Sequence, residues 1–135
     1  MKLVERHIIQ KNHRFYPEID RLCFLSKNLY NYANYLVHQS FIFEKTNLSY
    51  YDLQKTLSTQ SDYQAMPAKA SQQILMILDR NWKSFLAANE VYKNNPSKFN
   101  ARPRIPRYKN KITPKKSCSL YHTSYQQEAI KTRNY

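Results

Sequence analysis

The residues best suited to chemistry lie late in the chain, in the run ARPRIPRYK at 101–109. Arg102, Arg104, Arg107 and Lys109 are strung along a segment that Pro103 and Pro106 keep out of a regular helix. A guanidinium presents a fork of donors that matches phosphate oxygens. The ring of Tyr108 offers a face on which a base can stack. Cations interleaved with an aromatic and with Ile105 suit a nucleic-acid strand better than bare charge does; the competing reading is a solvated basic linker. A second set falls on the polar side of a helical run at 67–92: Lys69, Gln72, Gln73, Arg80 and Lys83, with few acids among them. Such a face is free to meet phosphates, although an ordinary amphipathic helix with a solvated basic face has the same pattern. Tyr50 opens a shorter helical segment, and the unpaired N–H groups of a helix start favour a phosphate; simple burial of the ring is the alternative.

Other chemistries find little in the residues. His7, His13, His38 and His122 are scattered singly, with no pair at metal-binding spacing on a helix. Cys23 lies on an apolar helix face and reads as a small buried hydrophobe, and Cys23 and Cys118 together fit neither a zinc site nor a disulfide framework. Asp79 and Glu90 have Arg80, Lys83 and Lys93 nearby, so surface ion pairing accounts for them. Two-metal phosphate chemistry needs a cluster of carboxylates, and none is evident. Glycine is absent, which excludes glycine-rich phosphate loops and dinucleotide fingerprints. No catalytic residue, metal, cofactor or small-molecule substrate is therefore expected.

The charge points the same way as the arm. The net charge of +13 over 135 residues calls for an acidic partner, most often nucleic acid. The excess is uneven. Residues 1–96 hold 12 Lys and Arg against 8 Asp and Glu, whereas residues 97–135 hold 10 against Glu128 alone. A membrane surface is the competing partner, but it would want an amphipathic basic helix, and the basic tail carries Pro103, Pro106 and Pro114 instead. No run approaches the apolar length of a bilayer span, and the N-terminus lacks an apolar signal core, so a cytoplasmic protein is expected.

These residues need elements to hold them. Residues 2–10 have β-branched Val4, Ile8 and Ile9 and read as a strand. Pro17, with Glu18 and Asp20 behind it, opens a long helix whose inner face is Ile19, Leu22, Cys23, Leu29, Tyr30, Ala33, Leu36 and Val37. Ser26 is the one polar residue in that stripe, and Asn28, Asn31 and Asn34 are assigned to the opposite face. Ser49 and Asp52 form a capping pair for a short helix at 50–57. Residues 58–66 are polar and turn-like. Pro67 then starts the longest helix, with Ile74, Leu75, Leu78, Trp82, Phe85 and Leu86 at helical spacing and Trp82 in the core. Three helices suffice for a small bundle. Residues 117–125 have strand-like character.

Several words in the chain, taken in order, resemble a known family: RFYPEIDRL, LSKNLYN, DYQAMPAKASQQIL, LDRNWKSF and PSKFNARPRIPRYK. They are similar to the N-terminal part of TnpB-type proteins, the transposon-associated, OrfB-type, RNA-guided nucleases related to type V CRISPR effectors. The likeness runs from about residue 1 to 109. It implies a small wedge β-barrel with a helical recognition lobe inserted into it, a guide RNA from the transposon end, and a short target-adjacent motif read on duplex DNA. The positions that match the DNA-reading helix start are Lys69 and Gln73, with Gln72 beside them; Lys69 and Gln73 are four apart and share a face. A glutamine there can read an adenine edge. By the same resemblance Tyr50 is a DNA-contacting position, and 106–109 is the basic aromatic return segment. The family's nuclease domain, with its carboxylate cluster and four-cysteine zinc element, has no counterpart in these residues, and 111–135 does not read like the expected wedge continuation.

The resulting expectation is a mostly helical α+β protein: a small helical bundle (17–96) inserted between strands of a partial wedge-type β-barrel (1–16 and 97–135), with a basic extended C-terminal arm. Its function is expected to be nucleic-acid binding, to guide-type RNA and target duplex DNA, in a truncated or frame-shifted copy that cleaves nothing by itself. The alternative is a free-standing DNA-binding regulator of the helix-turn-helix kind.

Overall fold

The computed structural model describes residues 8–109. Helix α1 (Tyr16–Gln39) begins at Tyr16-Pro17-Glu18, where a proline N–H is not needed and an acid suits the helix dipole. It runs on into a π-helical turn at Ser40–Glu44, which ends on Lys45 in the left-handed region (φ 57°). Thr46 N–H donates back to Ser40 O at 3.3 Å, and the Ser40 and Thr46 hydroxyls lie 2.7 Å apart. Helix α2 (Tyr50–Leu57) is capped reciprocally: Ser49 N–H donates to Asp52 Oδ2 at 3.0 Å and Asp52 N–H to Ser49 Oγ at 3.4 Å. Helix α3 (Ser61–Gln64) is a single turn, and α4 (Ala68–Asn94) follows Pro67. A 3₁₀ turn at Pro96–Lys98 leads into an extended arm that reaches Lys109.

One apolar core joins these helices. Leu22, Leu29, Ala33 and Val37 of α1 meet Ile74, Leu75, Leu78 and Trp82 of α4, and α2 closes the third side with Leu53 and Leu57. Trp82 is 1% exposed, in the core as its spacing predicts, and is ringed by His38, Phe41 and Phe85. Cys23 is buried on α1. Ser26 is buried and donates to Met66 Sδ at 3.8 Å.

The expected α+β class and its partial wedge-type barrel are overturned: among the described residues there are four α-helices and no strand. Ile8, Ile9 and Gln10, the described end of the expected N-terminal strand, are irregular. Residues 1–7 and the strand expected at 117–125 lie outside the described residues. The arm is extended but, among the described residues, pairs with no strand. Pro103 and Pro106 have no N–H to offer a ladder, and side chains of α1 meet Pro106 O and both backbone groups of Lys109 instead. Two smaller corrections follow. Residues 58–66 are not merely a turn: Tyr63 and Met66 are buried there, and Ser71 Oγ donates to Tyr63 O at 2.8 Å, tying α3 to α4. Asn34 is not on an outer face but fully buried.

Candidate nucleic-acid interface

The arm is held by α1 through a row of polar side chains one and two turns apart, Asn31, Asn34 and His38. Asn31 pairs with the backbone of Lys109 in both directions: Lys109 N–H donates to Asn31 Oδ1 at 2.8 Å, and Asn31 Nδ2 donates to Lys109 O at 3.0 Å. The amide side chain thus does what a neighbouring strand would do. Asn34 Nδ2 donates to Pro106 O at 3.1 Å, while Asn34 Oδ1 accepts from Trp82 Nε1 at 2.9 Å. Asn34 therefore links α1, α4 and the arm at one buried point. His38 Nε2 lies 3.2 Å from the same carbonyl of Pro106. Ile105 is half-buried against the core.

This mode of docking leaves the cations outside. Pro103, Ile105 and Pro106 are half-buried, whereas Arg102, Arg104, Arg107 and Lys109 are exposed. Arg102 and Arg104 sit on the same side of an extended backbone, because side chains alternate there. No acid occurs in residues 91–109 or 21–43, so neither the arm nor the length of α1 beneath it supplies a neutralising carboxylate. The Lys109 ammonium lies 4.8 Å from the centre of the Tyr30 ring, whose hydroxyl accepts from Asn81 Nδ2 at 3.0 Å. Tyr108 stacks on His38, with ring centres 5.2 Å apart and planes 22° apart. Burial raises the Tyr108 phenol above its ordinary pKa, and Tyr35 beside it adds to the effect.

On α4 the candidates divide. Lys69 is exposed, and Gln72 and Gln73 are half-buried. With 3.6 residues per turn, Lys69, Gln73 and Arg80 share the outer face, and Gln72 lies on its flank. Lys83 is exposed, but its ammonium lies 2.8 Å from Oδ2 of Asp79, a buried carboxylate whose Oδ1 has no hydrogen-bond partner among the described residues. Its charge therefore answers a need within the fold, and it is a poorer phosphate ligand than its place on the polar face suggests. Tyr50 turns inward: it is half-buried against the core, and burial first, then Tyr63 and Tyr51, raises its phenol pKa. Tyr51 crosses it at 5.3 Å and is 78% exposed, so Tyr51 is the ring that α2 offers to solvent. The signal for this was present: Leu53 and Leu57 follow Tyr50 at i+3 and i+7, which turns Tyr51 outward.

The clamp residues Asn31, Asn34 and His38 were not among the expected site residues. Their spacing of three and four, N-x-x-N-x-x-x-H, marks a polar stripe along one helix, but nothing in it says whether water or backbone fills that stripe. Among the described residues no group of three or more His, Cys, Asp or Glu side chains could hold a metal ion, and no helix is long and apolar enough to cross a membrane. Comparison of the chain with protein-family models, curated proteins and solved structures finds no match.

Proposed function

We propose that this chain binds nucleic acid through its docked basic arm, as the recognition portion of a TnpB-type RNA-guided nuclease whose partners are a guide-type RNA and a target DNA duplex. The observation that carries this reading is the way the arm is fixed. Its backbone is held by Asn31, Asn34 and His38, and its apolar side chain Ile105 is spent on the core, while Arg102, Arg104, Arg107 and Lys109 remain in solvent. A linker that only spanned a distance would need no such clamp. A pre-ordered row of cations loses less conformational entropy on meeting phosphates than a loose one does. The ordered run of family-like words supports the assignment to RNA-guided nucleases, and it gives the start of α4, with Lys69 and Gln73 one turn apart, the role of meeting the duplex. Lys69 supplies charge there, and Gln73 supplies the amide that pairs with an adenine edge.

The helix-turn-helix alternative would lay α4, which follows the single turn of α3, along a groove, and it gives the docked arm no role.

The test is affinity as a function of salt, for the full chain with RNA and with duplex DNA. Each phosphate contact contributes about 0.7 to 0.9 to the slope of log affinity against log salt. Replacing Arg102, Arg104 and Arg107 together with alanine is expected to lower that slope by about 2 to 3. An unchanged slope would remove the arm from the interface.

A further inference from the structure

We propose that the open face of Tyr108 is a stacking platform for an unpaired base, so that the arm takes a single-stranded segment of nucleic acid. The inference rests on the nucleic-acid reading above and narrows it to a strand type and a residue. Three rings from three parts of the fold form a column. Trp82 of α4 is buried and lies perpendicular to His38, at 5.2 Å and 88°, and His38 of α1 is stacked against Tyr108 of the arm. One face of the Tyr108 ring is thus covered, yet 48% of the residue remains exposed. The backbone is pinned on both sides of it, at Pro106 O by Asn34 and His38 and at Lys109 by Asn31. The ring is therefore held in place rather than free to fold onto the surface.

The surroundings suit a nucleotide. Arg107 and Lys109 flank the ring in sequence and are exposed. Tyr35, which lies close enough to perturb the phenol, is itself 48% exposed, and Tyr32 on the same helix is 43% exposed. A stacked base presents a π-face to an aromatic ring regardless of its identity, and neighbouring cations track the backbone on either side. A base inside a duplex already has both faces covered by its neighbours and can reach such a ring only by leaving the stack. The site should consequently prefer single strands.

The test uses the full chain and three labelled probes, oligo(dT), oligo(U) and a matched dA·dT duplex, read by fluorescence anisotropy. Tyr108→Leu keeps bulk but removes the π-face. It is expected to weaken single-strand binding between about 5-fold and about 150-fold, with little change on the duplex, an unaltered salt slope and unaltered helicity. Tyr108→Trp is expected to restore single-strand binding, and its indole emission should be quenched by the oligonucleotide, because the native Trp82 is buried away from it. Comparison of oligo(U) with oligo(dT) identifies whether RNA or DNA is the preferred strand. If Tyr108→Leu binds single strands as the parent does, or loses single strands and duplex equally, the platform is refuted while salt-dependent binding by the arm still stands. If the parent chain binds none of the probes, both readings fall.

Discussion

Asn34 is the position at which the fold and the arm can be separated by a single experiment. Its side chain is fully buried and satisfied on both sides, accepting from Trp82 Nε1 and donating to Pro106 O. Asn34→Ala leaves the indole N–H without a partner inside the core, a loss of about 1–3 kcal/mol for a buried donor. The Pro106 carbonyl keeps His38 Nε2 at 3.2 Å, so its loss is smaller, about 0.5–1 kcal/mol. The sum, about 2–4 kcal/mol, is a large share of the 5–15 kcal/mol typical of a folded domain. Urea denaturation of Asn34→Ala measures it directly. The decisive measurement is the cycle with Trp82→Phe. Phenylalanine has no N–H to orphan, so in the double variant removing Asn34 should cost about 1–2 kcal/mol less than it does in the parent. Strict additivity, or a single-variant cost below about 0.5 kcal/mol, would show that the Asn34–Trp82 hydrogen bond does not join α1 to α4 in the way described.

Three further variants test the cap of α2 and the polar face of α4. The Asp52 carboxyl is held below its ordinary pKa, first by the Ser49 backbone N–H and then by the Ser49 hydroxyl. A depressed folded-state value means stabilisation that is present above the unfolded carboxylate value near 3.8 and is lost as pH falls through the folded value. The thermal midpoint of Asp52→Asn should therefore lie below that of the parent at neutral pH and converge with it in acid; a gap independent of pH would sink the capping assignment. Lys69→Ala is expected to lower the salt slope for duplex DNA by about 1, whereas Lys83→Ala, already paired with Asp79, should leave the slope unchanged and reduce stability by about 0.5–1 kcal/mol. Equal effects of the two on the slope would show that Lys83 reaches the phosphates despite its internal partner.

Helices α1, α2 and α4 were legible because their signals are local, whereas the single turn of α3 was read as a turn. Pro17 and Pro67, the Ser49–Asp52 pair and the spacing of Leu22, Leu29, Val37, Leu75, Leu78 and Trp82 each depend on residues within a turn or two of one another. What could not be read depends on partners far along the chain. Asn34 sits at the edge of the apolar stripe, about 40° from Tyr30 on a helical wheel, where its polarity suggests solvent, and it is buried because Trp82 and Pro106 arrive from 48 and 72 residues away. Lys83 looks like an available cation, and only the burial of Asp79 commits it to an internal partner, though the lysine itself stays exposed. Tyr50 and Tyr51 are the exception, because there the deciding signal is local: Leu53 and Leu57, at i+3 and i+7 from Tyr50, turn that ring inward. The exposed cations of 101–109 were legible as charge; that they are held in place by α1 was not.

The manner of that holding bears on how such an arm can serve a ligand. A strand paired into a sheet gives up its backbone donors and acceptors on one or both edges, and its outward side chains alternate strictly. Here a single amide, Asn31, pairs with Lys109 in both directions, and Asn34 and His38 meet at one carbonyl, Pro106 O. The prolines at 103 and 106 withhold N–H groups that a sheet would use, so the arm competes poorly for a strand and well for a helix surface bearing amides. Three side chains then suffice to fix the segment's course; between the fixed points Arg107 is left to the solvent, and Tyr108 rests one face on His38. Arg107 and Tyr108 fall between Pro106 and Lys109, the two points that are clamped. The most constrained backbone in the arm is therefore the part that carries the ring and its neighbouring cation, which is the arrangement a strand-binding surface needs and a passive linker does not.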